Sequence, residues 1–212
     1  MRIYMLTGDM YGIQYYRAQL VKRYMDKLGV PCLLTYLVDM DEIKRSDILY
    51  IVRPISQIIT PELLHEVKRA GVAVVMDQDD NYDAVPAWNP ARRYFGAHST
   101  HQYLKSFYSC VDMITTTQVY LKKYLETKVS CPIRIIPNGF DADYKLLRPF
   151  TPNEIPVIGW AGGGFHLEDL SCVDAVFDEC LNRGYRLLFI GDMNLSVEGR
   201  HNVKLWNGSH NT

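Results

Sequence analysis

The chain has 212 residues, of which 48% are hydrophobic and 22% are charged, and its formal net charge is −1. This composition is typical of a globular protein with one large domain or two small ones. A net charge this close to zero gives no electrostatic reason to expect binding to nucleic acid or to an anionic membrane.

Apolar runs and amphipathic stretches alternate along the first 150 residues. The runs predict strands at 3–6, 32–37, 48–52, 72–76, 111–115 and 133–136, and the amphipathic stretches predict helices at 14–28, 61–70, 97–109 and 117–128. In the first helix an apolar stripe recurs every four residues, from Tyr16 to Leu28. Such alternation predicts an α/β fold, a doubly wound parallel sheet with right-handed crossovers.

Residues 151–212 predict a second, smaller α/β unit after a linker at 141–152. Strands are expected at 157–160, 186–190 and 203–205, with a helix at 167–182. A unit of about 60 residues is marginal on its own. We therefore expect residues 151–212 to be the start of a second Rossmann-like domain, in a truncated or naturally short form of a two-domain protein.

The five cysteines are an odd, widely spaced set without a C-x-x-C pair. This pattern favours reduced thiols over a disulfide framework or a zinc site. No run is apolar for long enough to cross a bilayer. Together these features predict a cytoplasmic location.

A glycine-rich loop follows the strand at 157–160. Gly162, Gly163 and Gly164 let a ligand lie directly on backbone N–H groups, and His166 opens the next helix, whose positive dipole end favours a phosphate. The spacing matches neither the dinucleotide fingerprint nor a Walker loop. An ordinary turn between a strand and a helix is the alternative interpretation.

Two more candidate sites follow strands of the first sheet, where open α/β sheets bind ligands. After the first strand, Gly8 and Gly12 allow a close approach and Arg17 is placed to meet a phosphate or carboxylate; a flexible loop with a solvated arginine is the alternative. After the fourth strand, Asp77 and Asp79 suit a divalent metal, a substrate hydroxyl or a purely structural loop.

Two remaining features give weaker evidence of a functional site. Asn138 lies in an Asn-Gly turn just before the linker, which makes it a candidate hinge. His98 and His101 are spaced for a shared metal on one helix, but no third ligand has a fitting spacing, so we expect two partly exposed histidines.

Four stretches resemble the GT-B fold glycosyltransferases, in particular the retaining family-4 type (glycosyl transferases group 1). They are GDMYGIQYYRAQL at 8–20, VDMITTTQVYLKKYL at 111–125, PIRIIPNGFD at 132–141 and IGWAGGGFHLEDL at 158–170. The resemblance implies an acceptor-side domain at 1–150 and a partial donor-binding domain at 151–212. It implies transfer of a sugar from a nucleotide-sugar donor to an acceptor in the cleft between them.

The resemblance also implies roles for individual residues. His166 and Asp79 would be catalytic, and the donor diphosphate would contact Gly12, Gly162, Gly163 and Gly164. Other cleft positions would be Gly8, Arg17, Asp77 and Asn138. No cofactor and no divalent metal would be needed, since backbone N–H groups and a helix dipole stabilise the leaving diphosphate.

The expected partners are a nucleotide-sugar and an unknown acceptor: a glycan, a lipid-linked sugar, a protein or a modified base. A second copy of the chain or a completing C-terminal segment is a further expected partner. The family's basic pair has no obvious counterpart in residues 156–212, and its glutamate pair would lie beyond Thr212. This predicts weak donor binding and little turnover by the 212-residue form. The alternative is a non-catalytic nucleotide or sugar binder with a degenerate or incomplete glycosyltransferase fold. A Rossmann oxidoreductase is disfavoured because neither glycine loop fits one and no acidic residue is suitably placed for a ribose.

Overall fold

The computed structural model describes residues 1–8, 14–53, 59–139, 152–162, 166–191 and 203–206. The chain divides into two compact units, Met1–Ala84 with Tyr94–Tyr144 and Val85–Arg93 with Lys145–Thr212. The acceptor-side and donor-binding roles assigned to residues 1–150 and 151–212 stay predictions.

The described part of the first unit forms a six-stranded, wholly parallel sheet in the order β2-β1-β3-β4-β5-β6. The strands are β1 (Ile3–Thr7), β2 (Cys32–Thr35), β3 (Ile48–Val52), β4 (Ala73–Gln78), β5 (Met113–Thr116) and β6 (Ile133–Ile135). The helices are α1 (Leu20–Lys27), α2 (Met40–Lys44), α3 (Pro61–Arg69), α4 (Arg92–Phe95), α5 (His98–Tyr108) and α6 (Val119–Leu125). A π-helical turn at Tyr15–Gln19 precedes α1, and a 3-10 turn at Tyr82–Ala84 follows β4.

Helices cover both faces of this sheet. Because successive side chains of a strand point to opposite faces, Tyr4 and Leu6 share one core with side chains of α2, α3, α5 and α6. Ile3 and Met5 share the other core with Ala18 and the α1 side chains. The predicted doubly wound, Rossmann-like α/β fold is confirmed.

Helix α3 begins as its sequence predicts. The Thr60 side chain accepts a hydrogen bond from the backbone N–H of Leu63 at 3.4 Å, and Pro61 occupies the first helical turn. Helix α2 was not predicted, although Asp39 carries the same kind of signal: its side chain accepts from the N–H groups of Asp41 and Glu42. The N-cap was the signal that would have identified this short helix.

The predicted helix at 14–28 differs from its expected form in two ways. It begins as a π-helical turn, in which the N–H of Leu20 bonds to the carbonyl of Tyr15 five residues earlier. The apolar stripe is also largely exposed: Tyr16, Tyr24 and Leu28 are 48%, 60% and 58% exposed. The wider turn breaks the regular spacing, so that other α1 side chains, not this stripe, pack on the sheet.

The second unit contains a three-stranded parallel sheet in the order β7-β8-β9, with β7 at Val157–Ala161, β8 at Arg186–Ile190 and β9 at Val203–Trp206. The predicted helix at 167–182 is divided into α7 (Leu167–Ser171) and α8 (Asp174–Asn182). Phe177 of α8 packs edge-on against Phe189 of β8, with ring centroids 5.2 Å apart. In the described residues, no helix is both long and apolar enough for a membrane span.

Candidate ligand site at the carboxyl edge of the first sheet

The winding of the first sheet reverses at β1. The chain passes from β1 to β2 on one side and then to β3 on the other. Ligands of open α/β sheets bind at such a reversal, outside the carboxyl ends of the strands. Gly8 directly follows β1 at this edge and is partly buried, whereas the predicted ligand residue Gly12 lies outside the described residues.

Arg17 and Asp77 form a buried ion pair below this edge. Arg17 Nε donates to Asp77 Oδ2 at 2.8 Å, and Arg17 Nη2 donates to Oδ1. The side chains are 2% and 0% exposed. Burial lowers the pKa of Arg17, but the hydrogen bonds and charge of Asp77 outweigh it, and the net pKa is raised.

A second layer of hydrogen bonds surrounds the pair. Thr115 Oγ1 donates to Asp77 Oδ1 at 2.5 Å, and the Tyr50 hydroxyl lies 3.1 Å from Thr115 Oγ1. Arg17 Nη1 donates to the carbonyl oxygen of Ile136 and, at 3.4 Å, to Asn138 Oδ1. The structure thus brings together Arg17, Asp77 and Asn138, three of the predicted cleft residues, in one network that joins β4, β5 and the end of β6.

Asp79, the other predicted acidic residue, belongs to a separate cluster around Arg53. Arg53 directly follows β3; its Nε donates to Asp79 Oδ1 at 3.1 Å and its Nη2 to Asp80 Oδ2 at 2.5 Å. Burial and the neighbouring charge of Asp79 raise the pKa of Asp80. Two carboxylates therefore share one cation at the carboxyl edge of β3 and β4.

The backbone of Arg53 is in the left-handed region, with φ at 54°. It is the only non-glycine residue in the described ranges with a positive φ. A left-handed arginine costs roughly 1–2 kcal/mol, and such strain concentrates at functional sites. Arg53 was not among the site residues predicted from sequence; a lone cation directly after an apolar strand was the available signal.

Two buried oxygens near this edge have no hydrogen-bond partner among the described residues: Tyr82 Oη and Thr116 Oγ1. Thr116 ends β5, and Tyr82 lies in the 3-10 turn, where its ring stacks on Phe95 with centroids 4.9 Å apart. Burial, and then the charge of Asp79, raise the pKa of Tyr82 well above its ordinary value. The phenol is therefore neutral and available as a donor.

In the second unit, Gly162 is closely surrounded by its own unit. Its N–H donates to the carbonyl of Ile190 at 3.0 Å, and a Cβ added to it would lie 2.3 Å from the indole of Trp160. That N–H is already engaged by protein, contrary to the bare amide that the sequence analysis expected. Gly163 and Gly164 lie outside the described residues.

His166 is exposed at the start of α7. Its Nδ1 lies 2.8 Å from Asp169 Oδ2, and the two side chains are 58% and 57% exposed. Its catalytic role, like the other assigned site roles, stays a prediction.

The two histidines of α5 have different partners. His98 Nε2 lies 3.2 Å from Gln102 Nε2, whereas His101 Nδ1 lies 3.2 Å from Asp83 Oδ1. Within the described ranges no three His, Cys, Asp or Glu side chains are grouped for a metal. The expectation that no divalent metal and no cofactor are needed stays a prediction.

The chain aligns with solved structures of two dehydrogenases. It matches the apo-structure of D-lactate dehydrogenase from Escherichia coli at 12% identity and a TM-score of 0.31, over 98% of this chain and 60% of that one. It matches D-2-hydroxyisocaproate dehydrogenase at 14% identity and a TM-score of 0.26, over 98% of this chain and 58% of that one. The chain thus spans about 60% of the length of these structures. No family model matches the chain, and no curated protein matches it.

These comparisons correct the sequence analysis. The resemblance to family-4 glycosyltransferases and the sugar-transfer activity drawn from it were wrong, since no family model matches and both named structures are dehydrogenases. The alternative, a non-catalytic binder with a degenerate or incomplete glycosyltransferase fold, was wrong for the same reason. At these TM-scores the alignments assign no reaction to this chain.

Proposed function

We propose that the first unit binds a ligand of the nucleotide class at the carboxyl edge of β3 and β4, through the ribose hydroxyls. The observation that carries this proposal is the cluster in which a left-handed Arg53 is shared by Asp79 and Asp80. It lies at the edge of a Rossmann-like sheet where ligands bind.

The cluster has acceptor capacity beyond what Arg53 uses. Arg53 engages Asp79 Oδ1 and Asp80 Oδ2, one oxygen of each carboxylate. An ionised carboxylate has two oxygens and about four acceptor sites. Two neighbouring carboxylates therefore suit a vicinal diol, whose two O–H groups donate side by side, and ribose is the vicinal diol that carboxylates of such sheets bind.

The electrostatics of the cluster favour such a ligand. One arginine faces two carboxylates, so the cluster carries a net negative charge when both are ionised. A hydroxyl donor stabilises the carboxylates without adding a further charge. The sequence predicted a nucleotide-sugar donor and an unknown acceptor as partners. Of these, the present proposal retains only the nucleotide part of the donor.

Calorimetric titration of the full chain with adenosine and 2′,3′-dideoxyadenosine tests whether the chain recognises the ribose diol. We expect adenosine to bind and the dideoxy compound to bind at least about a hundredfold more weakly, the loss for two hydrogen bonds to charged groups at roughly 1.5 kcal/mol or more each. Melting-point shifts with NAD, UDP and GDP then rank the nucleotides, because a ligand of the folded state raises the melting temperature.

The variant Asp79→Asn/Asp80→Asn should remove the preference for adenosine over its dideoxy analogue. Asp26→Asn, on the exposed surface of α1, is the matched control and should keep it. Equal binding of the two nucleosides by the parent chain would contradict the proposal, as would no binding of either.

A further inference from the structure

Strand β2 forms one edge of the six-stranded sheet, and its outer side meets no other strand among the described residues. The N–H of Ile3 donates to the carbonyl of Pro31 at 2.9 Å, and Ile3 is the parallel partner of Cys32. A parallel ladder uses alternate residues of each strand. The backbone groups of Leu33 therefore face β1, whereas the N–H and C=O groups of Cys32 and Leu34 point outward.

The other edge of this sheet carries a device against strand pairing that β2 lacks. The central residue of β6 is Arg134, whose side chain is exposed. Natural sheets use such a charge to keep an edge from pairing with another chain. Strand β2 has the uncharged sequence CLLT, and Leu33 within it is 41% exposed. The outer side of β2 is thus open to pairing with a further strand.

A second copy of β2 has the geometry to fill this edge. When two copies run antiparallel about a two-fold axis, Cys32 of each can exchange both backbone hydrogen bonds with Leu34 of the other. In this register the outward N–H and C=O groups of both residues find partners within β2. Leu33 then lies opposite Leu33 of the second copy, so that an exposed apolar side chain is covered by its own equivalent.

The charges beside this edge are also self-complementary. Lys22 Nζ and Asp26 Oδ2 of α1 lie 2.6 Å apart and are partly exposed. Burial raises the pKa of the Cys32 thiol, and smaller effects come from Lys22, which lowers it, and from Asp26, which raises it. Both charges therefore lie on the side of α1 that is next to β2. A two-fold axis reverses their order in the second copy, which brings opposite charges together across the interface.

We propose that β2 is the interface of a symmetric homodimer, in which two β2 strands pair antiparallel and join the sheets of two copies into one. Leu33 lies at the two-fold axis, and the two α1 helices lie on the same face of the joined sheet. The strand of a different protein would satisfy the backbone groups equally, but the self-complementary charges of α1 favour a second copy. Strands β1 and β3 separate this edge from β4, so the dimer does not depend on the ribose site.

Sedimentation velocity of the full chain from about 1 to 100 μM tests the dimer, a range suited to an interface of modest area. We expect a shift from monomer to dimer as the concentration rises. Leu33→Asp should raise the concentration needed for dimerisation at least about tenfold, because it places two like charges opposite each other at the axis. Tyr120→Asp, at a 74% exposed residue of α6, is the matched control and should dimerise as the parent does.

Cysteine cross-linking tests the register and does not require Leu33→Asp to fold. Leu33→Cys should form a disulfide between two copies on oxidation, since the Cα atoms of such a pair lie about 4.5 Å apart. Thr35→Cys should not, because its two copies would lie about 13 Å apart in this register, beyond the reach of a disulfide. Non-reducing gel electrophoresis measures both, and the oxidised parent controls for the five native cysteines.

A chain that stays monomeric at about 100 μM would overturn the proposal. So would a dimer that a folded Leu33→Asp variant leaves intact, since the interface would then lie elsewhere. Equal cross-linking through cysteines at positions 33 and 35 would rule out the register. Asp79→Asn/Asp80→Asn should dimerise as the parent does, which separates a failure here from a failure of the ribose site.

Discussion

Arg17 and Asp77 lie 60 residues apart in the chain and form a bidentate ion pair that solvent does not reach. The pair joins the π-helical turn before α1 to the carboxyl end of β4. Because both charges are buried, each depends on the other for stabilisation. The pair therefore fixes the edge of the sheet at which the ribose site is proposed.

Arg17→Leu should lower the free energy of unfolding by about 3–5 kcal/mol, because Asp77 would be left as a buried charge without its partner. The double variant Arg17→Leu/Asp77→Leu should recover much of this loss. Urea unfolding followed by far-UV circular dichroism measures both. Lys22→Ala is the control, since its exposed pair with Asp26 should contribute less than about 1 kcal/mol. If Arg17→Leu were as stable as the parent, Arg17 and Asp77 would not form a buried ion pair in solution.

Replacing Arg53 by glycine and by alanine separates its backbone strain from its side-chain contacts. Both variants lose the contacts with Asp79 and Asp80, but only alanine keeps a Cβ in the left-handed region. Arg53→Gly should therefore be more stable than Arg53→Ala by about 1–2 kcal/mol in urea unfolding. Equal stability would show that the left-handed backbone is not retained in solution.

Asp80→Asn should stabilise the folded chain slightly at neutral pH while it weakens adenosine binding. The pKa of Asp80 is raised by burial and by the charge of Asp79, so the folded state favours its protonated form. The folded chain therefore gains stability from this group as the pH falls through its raised pKa, and loses it above that pKa. The side chain is 58% exposed, so the effect should stay below about 1 kcal/mol.

Melting curves of Asp80→Asn and the parent, recorded from pH 3 to 7, measure this effect. The stability advantage of the variant should shrink as the pH falls through the raised pKa of Asp80 toward the ordinary range for an aspartate, and should not change further below that range. An advantage that grows toward low pH would have the wrong sign and would rule out the raised pKa. Asp47→Asn, at an exposed aspartate with a different set of partners, serves as the control.

The sheet was predictable because its strands are apolar runs, and buried parallel strands require such runs. Helix α3 was predictable because Thr60 and Pro61 mark its start. The pairing of Arg17 with Asp77 was not, since no local spacing relates residues in different strand–helix units. Tyr24 shows a second limit of prediction from sequence. A regular apolar stripe predicts a helix, but a π-helical turn changes the direction of the side chains, and the stripe does not indicate which of them then pack on the sheet.

Some residues of this edge were named from sequence, but no acidic residue was expected to be placed for a ribose, the role that the proposal gives to Asp79 and Asp80. The carboxyl edge of β4 and the residues Asp77 and Asp79 were identified from sequence, but Arg53 and Tyr82 were missed. Both depend on backbone geometry or burial that a sequence pattern does not report. The glycosyltransferase hypothesis went wrong because glycine-rich turns after strands occur throughout α/β proteins and do not specify a reaction.

Gly162→Ala separates a packing role of this glycine from the ligand role that the sequence analysis gave it. A Cβ at this position would lie 2.3 Å from the Trp160 ring, so the indole or the strand end must move, at a cost of about 1–3 kcal/mol. Gly159→Ala on the same strand is the matched control: its Cβ would lie 3.9 Å from the nearest atom, the carbonyl oxygen of Leu188, and should be tolerated.

Tryptophan fluorescence during urea unfolding measures this loss, because Trp88, Trp160 and Trp206 all belong to the second unit. The fluorescence transition of Gly162→Ala should move to lower urea, while Gly159→Ala should keep the parent midpoint or exceed it slightly. Adenosine binding by the first unit should be unaffected in both. An unchanged midpoint in Gly162→Ala would mean that Trp160 does not pack over this glycine in solution.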